Sequence, residues 1–209
     1  MAIVNKTNEN EKKIHCTGSL ISESFVLTAA HCLEDKEGNR LDTKNFELVF
    51  GLHDLSGMDQ GFFGPCHEIR EVKQEFKHPK HDKNISVHYY DVALIQVDDV
   101  SSADDYKEKI YPICLPSKAV HDVDSRKDNL VYLTGFGKTS KSDSPNVNGI
   151  KLRLANLKIY DQESCNSSYA DKTKALPELF PSNILCAGYT VSTPSSKKAR
   201  CLTFILLFL

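Results

Sequence analysis

A short apolar strand that runs into a histidine stands at residues 25–32, where the chain reads FVLTAAHC. Aromatic and β-branched side chains favour an extended conformation, so the first part of this segment predicts a strand. Ala29 and Ala30 are small and would let another segment approach closely. The pattern therefore indicates that His31 follows an apolar strand and lies beside a neighbouring part of the chain.

An upstream cysteine would be able to tether this histidine turn. Residues 16–22 read CTGSLIS, and a disulfide between Cys16 and Cys32 would close a loop of 17 residues. Closing a loop of that size contributes roughly 3 kcal/mol to stability. The bridge would also hold the strand before His31 against the turn that carries the histidine.

A second chemically suggestive segment, YDVALI, occupies residues 90–95. Asp91 precedes a strongly apolar strand, which would place its carboxylate at the edge of the core. A carboxylate placed there needs a hydrogen-bond donor, and the Nδ1–H group of a histidine would serve. The alternative is that His31 is a core histidine with satisfied hydrogen bonds and that Asp91 caps a strand, and either residue alone would favour that interpretation.

Composition places the chain among soluble globular proteins. It has 209 residues, of which 40% are hydrophobic and 26% charged, and these shares do not suit a disordered chain or a coiled coil. The formal net charge of -2 gives no electrostatic reason to expect nucleic acid or an acidic membrane as a partner. Seven cysteines are an odd number, so at least one lacks a partner within the chain in an oxidising compartment.

The sequence predicts a secreted protein without a membrane span. The most apolar stretch is residues 202–209, and eight residues rise only about 12 Å as a helix, whereas a span needs roughly 20 residues. No signal peptide is visible at residues 1–6. Asn5, Asn84 and Asn166 begin N-glycosylation triplets, and these, with the cysteines, favour an extracellular location.

The strand pattern predicts an all-β fold. Residues 46–50 and 92–97 are short β-branched and aromatic runs, and the alternation over residues 151–159 slips by one residue, which predicts a bulge or bend in a long strand. Turns or short helices are expected at residues 29–33 and 161–169, the latter capped by Asp161. The polar stretch at residues 101–109 predicts a linker between two strand-rich halves.

Five motifs together resemble the chymotrypsin/trypsin-like serine proteases. The first two are TAAHC (28–32) and DVALI (91–95). Three more segments downstream also look like segments of that family, and all five follow the order that the family has. These are YPICLP at residues 111–116, LTGFG at residues 133–137, where Phe136 replaces the usual tryptophan, and NILCAGY at residues 183–189. Because of the cysteine in YPICLP, the sequence resembles the regulatory proteases of arthropods within this family.

The resemblance implies two packed antiparallel β-barrels with an active site in the cleft between them. We expect the first barrel over residues 1–108, and a crossing segment with the second barrel over residues 109–209. In the family a serine attacks the scissile carbonyl, a histidine transfers the proton and an aspartate fixes the histidine tautomer. By resemblance His31 and Asp91 occupy the histidine and aspartate positions, and the implied substrates are proteins or peptides.

The third catalytic position has no match in these 209 residues. The nucleophile of the family lies in a Gly-Asp-Ser-Gly-Gly segment, four residues after a cysteine that matches Cys201, where this chain has Ile205. No glycine follows Gly188, although glycine permits the tight backbone of an oxyanion hole. Ser192, Ser195 and Ser196 lack that setting and are interpreted as loop residues. We therefore expect the chain to be inactive as given; the alternative is a non-catalytic homologue that acts by binding.

Both ends of the chain depart from the family pattern. Ile3-Val4 lies too close to Cys16 to be the activated N-terminus and resembles the first barrel strand instead. From about residue 199 the chain becomes an apolar tail without family character. We expect a chain that is truncated at both ends relative to the family, with an incomplete second barrel.

The family also implies how the seven sulfurs are used. Cys16–Cys32 would be the bridge of the histidine loop, and Cys165–Cys186 a second bridge. Cys201 matches a cysteine whose partner lies further downstream. Cys114 matches one that commonly pairs with an upstream regulatory segment, and Cys66 has no assigned partner.

No metal or cofactor is expected. Residues 78–82 read HPKHD, but a metal site needs three or four converging ligands, so a solvated loop is the favoured interpretation. Some family members bind calcium near the positions of Asp54, Asp59, Glu68 and Glu71. Calcium needs six or more oxygen ligands, and the sequence leaves that alternative open.

Overall fold

The chain folds as a mostly β structure, as its strand pattern predicts. A computed structural model describes residues 1–6, 13–55, 67–81, 90–102, 110–115, 130–136, 151–161, 163–164 and 186–188. Regular structure in these residues consists of β-strands, short 3-10 turns and the helical residues 163–164. The strands are β1 (Ala2–Asn5), β2 (Lys13–Thr17), β3 (Ser19–Ser22), β4 (Phe25–Thr28), β5 (Phe46–Phe50), β6 (Glu68–Glu71), β7 (Gln74–Lys77), β8 (Ala93–Gln96), β9 (Leu130–Gly135), β10 (Arg153–Tyr160) and β11 (Cys186–Gly188).

The strands form antiparallel sheets. The first sheet has the strand order β2-β1-β5-β6, the second β3-β4-β8-β7 and the third β11-β10-β9. Over the residues that the structure describes, the sheets do not close into barrels. The all-β antiparallel class is therefore confirmed, whereas the division of the chain after residue 108 stays a prediction.

The main core lies between the first two sheets. Its centre is built from fully buried side chains on four strands, β1, β4, β5 and β8, where Ile3, Val26, Leu48 and Ile95 are each 0% exposed. Buried and less buried residues alternate along β4 and β8, because successive side chains of a strand point to opposite faces. This core fixes the ends of β4 and β8, where the candidate site begins.

Phe136 joins the third sheet to the first. Its ring, 9% exposed, belongs to a cluster with Ala2, Val4, Val49 and Leu52. A backbone hydrogen bond from Leu152 N to His53 O, 2.7 Å long, runs beside this contact. The two strand-rich halves of the sequence therefore pack against one another through the residue that stands in place of a tryptophan.

The predicted bulge in the strand near residue 155 is wrong. The pairing of β10 with β9 runs without interruption from Arg153, opposite Gly135, to Lys158, opposite Leu130. Leu154 is 63% exposed and Leu157 only 1%, so these leucines simply lie on opposite faces of a regular strand. Register shifts occur elsewhere, between Ile3 and Val4 in the β1–β2 pair and between Leu20 and Ser22 in the β3–β4 pair.

Two short turns agree with the sequence. The expected turn at residues 29–33 is a 3-10 helix over Ala30–Leu33. At the second site, Asp161 Oδ1 accepts a hydrogen bond of 2.6 Å from Ser164 N. This bond is the predicted N-terminal cap, since the side-chain oxygen satisfies a backbone N–H that has no partner within the helix.

Candidate active site

His31 lies on a tight turn directly after β4. Backbone hydrogen bonds from Cys32 N to Ala29 O (3.2 Å) and from Glu34 N to His31 O (3.3 Å) form the turn. The neighbouring side chains of Ala30, Cys32 and Leu33 are buried, whereas the His31 side chain is 50% exposed. The turn is thus anchored on both sides of a histidine that solvent and ligands can reach.

The disulfide predicted for this turn is present. Cys16 and Cys32 are joined, with their Cα atoms 6.0 Å apart. Next to the bridge, His15 Nε2 donates a 2.9 Å hydrogen bond to Cys32 O. Strand β2 therefore holds the histidine turn through one covalent bond and one hydrogen bond.

Strand pairing brings Asp91 to His31 although 60 residues separate them in the sequence. Strands β4 and β8 are antiparallel neighbours, and Thr28 pairs with Ala93. His31 follows Thr28 by three positions and Asp91 precedes Ala93 by two. The register thus places both residues at the same end of the second sheet.

The segment before β8 bends sharply to present the carboxylate. Tyr90 has φ 49°, in the left-handed region that is uncommon for residues other than glycine. Its carbonyl accepts a 2.7 Å hydrogen bond from Val92 N. The bend between them points Asp91 into the interior, where the residue is 2% exposed.

The aspartate makes two short contacts with one residue. Asp91 Oδ2 lies 2.6 Å from His31 Nδ1, and Asp91 Oδ1 accepts a 2.7 Å hydrogen bond from His31 N. An ionised carboxylate only accepts hydrogen bonds, so Nδ1 carries the proton and Nε2 has the lone pair when the ring is neutral. The sequence predicted this pairing, and the structure brings the two side chains together.

The pKa of His31 is raised above its ordinary value. The largest cause is the hydrogen bond to Asp91; partial burial acts in the opposite direction, and the negative charges of Asp91 and Glu34 add to the rise. A neutral imidazole in this setting is a stronger base than a free histidine. The arrangement can accept a proton at Nε2 and stabilise the resulting imidazolium.

A comparison of the sequence with known families adds to this geometry. The profile of the family described as Trypsin matches residues 1–199.

The chain belongs to the trypsin family.

Relatives within the trypsin family come from several animal groups. The chain is 32% identical over 198 residues to the clotting factor G beta subunit of Tachypleus tridentatus. The matched region covers 92% of this chain and 55% of that protein. It is 30% identical over 191 residues to the atrial natriuretic peptide-converting enzyme of Mus musculus, covering 90% of this chain and 14% of the enzyme. Identity to the CLIP domain-containing serine protease B9 of Anopheles gambiae is 27% over 189 residues, with 88% and 43% covered. The chain thus spans about half or less of the length of these relatives.

Other predicted sites have mixed outcomes in this trypsin-family chain. Cys186 is part of a disulfide, and Cys114 is an exposed free thiol. Asn5 lies at the end of β1. The remaining predicted residues lie outside the described part of the chain: Cys66, Asn84, Cys165, Asn166, Ser192, Ser195, Ser196, Cys201 and Ile205.

One group of potential metal ligands lies close together among the described residues. Ligand atoms of Cys16, His31 and Cys32 lie within 4.8 Å of one another, but the two sulfurs are joined in the disulfide and are not the thiolates that zinc binds. The described acids of the suggested calcium region lie beside basic side chains. These pairs are Glu68 with Arg70, Glu71 with Lys6 and Asp54 with Lys151; Asp59 lies outside the described residues.

Sequence reasoning missed a group of polar side chains next to the histidine turn. Glu34 Oε1 lies 2.7 Å from Lys77 Nζ, and Glu34 Oε2 lies 3.3 Å from His81 Nε2. The His81 side chain is only 5% exposed, whereas Pro79 and Lys80 in the same turn are exposed. The HPKH pattern was the available signal, but its partner Glu34 is 47 residues away, and sequence spacing does not reveal that contact.

Among the described parts of the chain, none of the helical segments has the length and hydrophobicity that a bilayer crossing requires.

Proposed function

We propose that this chain contributes the general base and the orienting carboxylate of a serine endopeptidase. His31 is the base and Asp91 the carboxylate. The single observation that carries the proposal is the contact of 2.6 Å between His31 Nδ1 and the buried Asp91 Oδ2, reinforced by the bond to His31 N. Protein substrates follow from membership of the trypsin family.

The roles of the two residues follow from their protonation states. His31 Nε2 removes the proton of a serine hydroxyl as that oxygen attacks the scissile carbonyl, and it later returns the proton to the leaving amine. Asp91 keeps the proton on Nδ1 and stabilises the imidazolium that forms during each transfer. The half-exposed ring of His31 gives substrate and nucleophile access to the base.

The nucleophile must come from a segment that these 209 residues do not contain. Ile205 stands where the serine of the family belongs, and the chain has no glycine after Gly188 for an oxyanion loop. We propose that the 209-residue polypeptide by itself does not hydrolyse peptide bonds. Endopeptidase activity requires a serine-bearing segment of the Gly-Asp-Ser-Gly-Gly type in addition to the His31–Asp91 pair.

A fluorophosphonate probe tests the inactive state directly, because it labels only activated serines. We expect no covalent labelling of the purified 209-residue chain at a probe concentration that labels active trypsin completely. The His31→Ala variant serves as the matched control, and its signal should equal that of the unmodified chain. Labelling that depends on His31 would overturn the proposal that a nucleophile is lacking.

The transcript across codon 198 decides between two functions. A continuation through Gly-Asp-Ser-Gly-Gly would support an active protease that contains this dyad. Abundant transcripts that end after codon 209 would favour the second candidate, a non-catalytic homologue that binds partners through protease-like surfaces.

We further propose an extracellular location and a covalent partner segment. The Cys16–Cys32 disulfide and the three glycosylation triplets suit an oxidising compartment. Cys114 is free and exposed, so it is available to bond an upstream regulatory segment. Mass spectrometry of the non-reduced natural protein would test this, with a Cys114-containing cross-linked peptide as the expected result.

A further inference from the structure

Residues 77–81, which we call the clamp segment, contact the histidine turn through Glu34. Glu34 directly follows that turn, and its backbone N–H donates to His31 O. Its side chain, 10% exposed, accepts from Lys77 Nζ at 2.7 Å and lies 3.3 Å from His81 Nε2. Charge-assisted hydrogen bonds in a mostly buried setting are among the stronger polar contacts in proteins, so this cluster fixes the end of the turn.

The same clamp segment contacts the aspartate turn through Tyr90. The His78 ring stacks on the Tyr90 ring with centroids 4.5 Å apart and an interplanar angle of 4°. Lys80 Nζ lies 5.6 Å from the centroid of the Tyr90 ring, and His78 N donates a 3.0 Å hydrogen bond to Val92 O. These contacts hold the left-handed backbone of Tyr90, which an aromatic side chain disfavours on its own.

We propose that Lys77, His78 and His81 are positioning residues that clamp the two dyad turns together. The clamp acts through Glu34 on one turn and through Tyr90 on the other. The inference deepens the proposed function, on which it rests, by naming residues that set the distance between base and carboxylate. It also gives the HPKH motif a role that requires no metal.

A merely structural role would leave the dyad hydrogen bonds unchanged in any variant that still folds. The test therefore follows two signals of the dyad itself in the oxidised 209-residue chain. The first is the NMR signal of the His31 Nδ1 proton, which the Asp91 carboxylate shifts downfield. The second is hydrogen exchange at the His31 amide, whose N–H donates to Asp91 Oδ1.

Two variants remove the two arms of the clamp segment separately. His78→Ala removes the ring stack, and His31 amide exchange should become roughly two- to tenfold faster, the size expected for one aromatic pair. Lys77→Met removes a charge-assisted bond to Glu34, and exchange should become at least roughly tenfold faster. In both variants the Nδ1 proton signal should broaden or disappear.

Conservative and matched variants keep the test specific. His78→Phe retains a ring for stacking and should restore the wild-type signals, which distinguishes stacking from a general loss of stability. Lys73→Met and His53→Ala are the controls, because Lys73 pairs with the exposed Asp98 and His53 is exposed. Amide signals from β1 and β5 report whether each variant remains folded.

The outcomes separate this inference from the proposed function. Unchanged Nδ1 and amide signals in folded His78→Ala and Lys77→Met chains would overturn the clamp. Equal effects in the Lys73→Met control would overturn it as well. If the clamp variants behave as expected but no form of the protein ever cleaves a peptide, the proposed function fails while the positioning role stands.

Discussion

At the scale of single residues, the dyad depends on one carboxylate that contacts two groups of the same histidine. One oxygen of Asp91 contacts the His31 ring, and the other accepts from the His31 backbone N–H. Asp91 is almost fully buried, whereas the His31 side chain is half exposed. The buried partner is therefore fixed and the exposed partner is the one that reacts. This asymmetry suits a base that must exchange protons with a ligand while its orientation is kept.

The pKa of His31 should fall when Asp91 is replaced by asparagine. The Asp91 hydrogen bond is the largest cause of the raised pKa, and Asp91→Asn removes its charge at nearly constant volume. Partial burial, which lowers the pKa, then remains. NMR titration of the His31 ring would measure the change, and an unaltered His31 pKa would contradict the assigned cause.

The raised pKa of His31 determines whether its contribution to stability increases or decreases with pH. Because the folded-state pKa of His31 is raised above the unfolded value of about 6.5, its contribution to stability is fully present below pH 6.5. That contribution is lost as the pH rises through the folded-state pKa. Urea unfolding across this window should show a steeper decline in the wild type than in Asp91→Asn, whereas His53→Ala should follow the wild type.

At the scale of elements, the site is a consequence of strand register. The apolar runs at residues 46–50 and 92–97 predicted strands, and β5 and β8 lie there. The prediction of a bulge near residue 155 is wrong because Leu154 faces outward and Leu157 inward on a regular strand. Hydrophobic alternation shows that a strand exists, but it cannot reveal which leucines a particular sheet leaves exposed.

Gly18, between β2 and β3, and Gly135, at the end of β9, should respond differently to replacement by alanine. A Cβ atom at Gly18 would lie 2.8 Å from Leu27 O and 3.0 Å from Val26 Cγ1, whereas at Gly135 it would meet nothing within 4 Å. Gly18→Ala should lower the free energy of unfolding by about 1–3 kcal/mol, because the backbone carbonyl has to move. Gly135→Ala should be neutral or raise it by about 0.4–1 kcal/mol through the entropy of the unfolded chain.

Urea unfolding of the two glycine variants under identical conditions is the measurement. Each serves as the control for the other, since both substitutions add one methyl group. Equal effects at the two positions would show that the close approach of β4 to Gly18 is not what requires a glycine there.

At the scale of the whole molecule, local motifs predicted the fold class and the dyad, but not its support. The segments around His31 and Asp91 each carry a recognisable pattern of neighbouring residues, so their meeting was predictable. The contacts of Glu34 with Lys77 and His81 join residues 43 and 47 positions apart, and no local pattern encodes them. Phe136 likewise shows its packing partners only once the sheets have assembled.

Reduction of the Cys16–Cys32 bridge should weaken the molecule as a whole. The bridge links β2 to the histidine turn across a separation of 16 residues, so its loss should cost roughly 3 kcal/mol of unfolding free energy. Urea unfolding of Cys16→Ala/Cys32→Ala against the intact chain would measure it, with Cys114→Ala as a control that leaves the bridge alone. A double variant as stable as Cys114→Ala would contradict the prediction.

The two bonds from Asp91 to His31 make the dyad a chelate. While Asp91 Oδ1 stays on the His31 backbone N–H, the second oxygen remains at a high effective concentration near the ring. The imidazole is therefore kept in one orientation while its Nε2 exchanges a proton with a ligand. A base that must keep the same geometry through every proton transfer benefits from this tether, since a brief loss of the ring contact leaves the backbone contact in place.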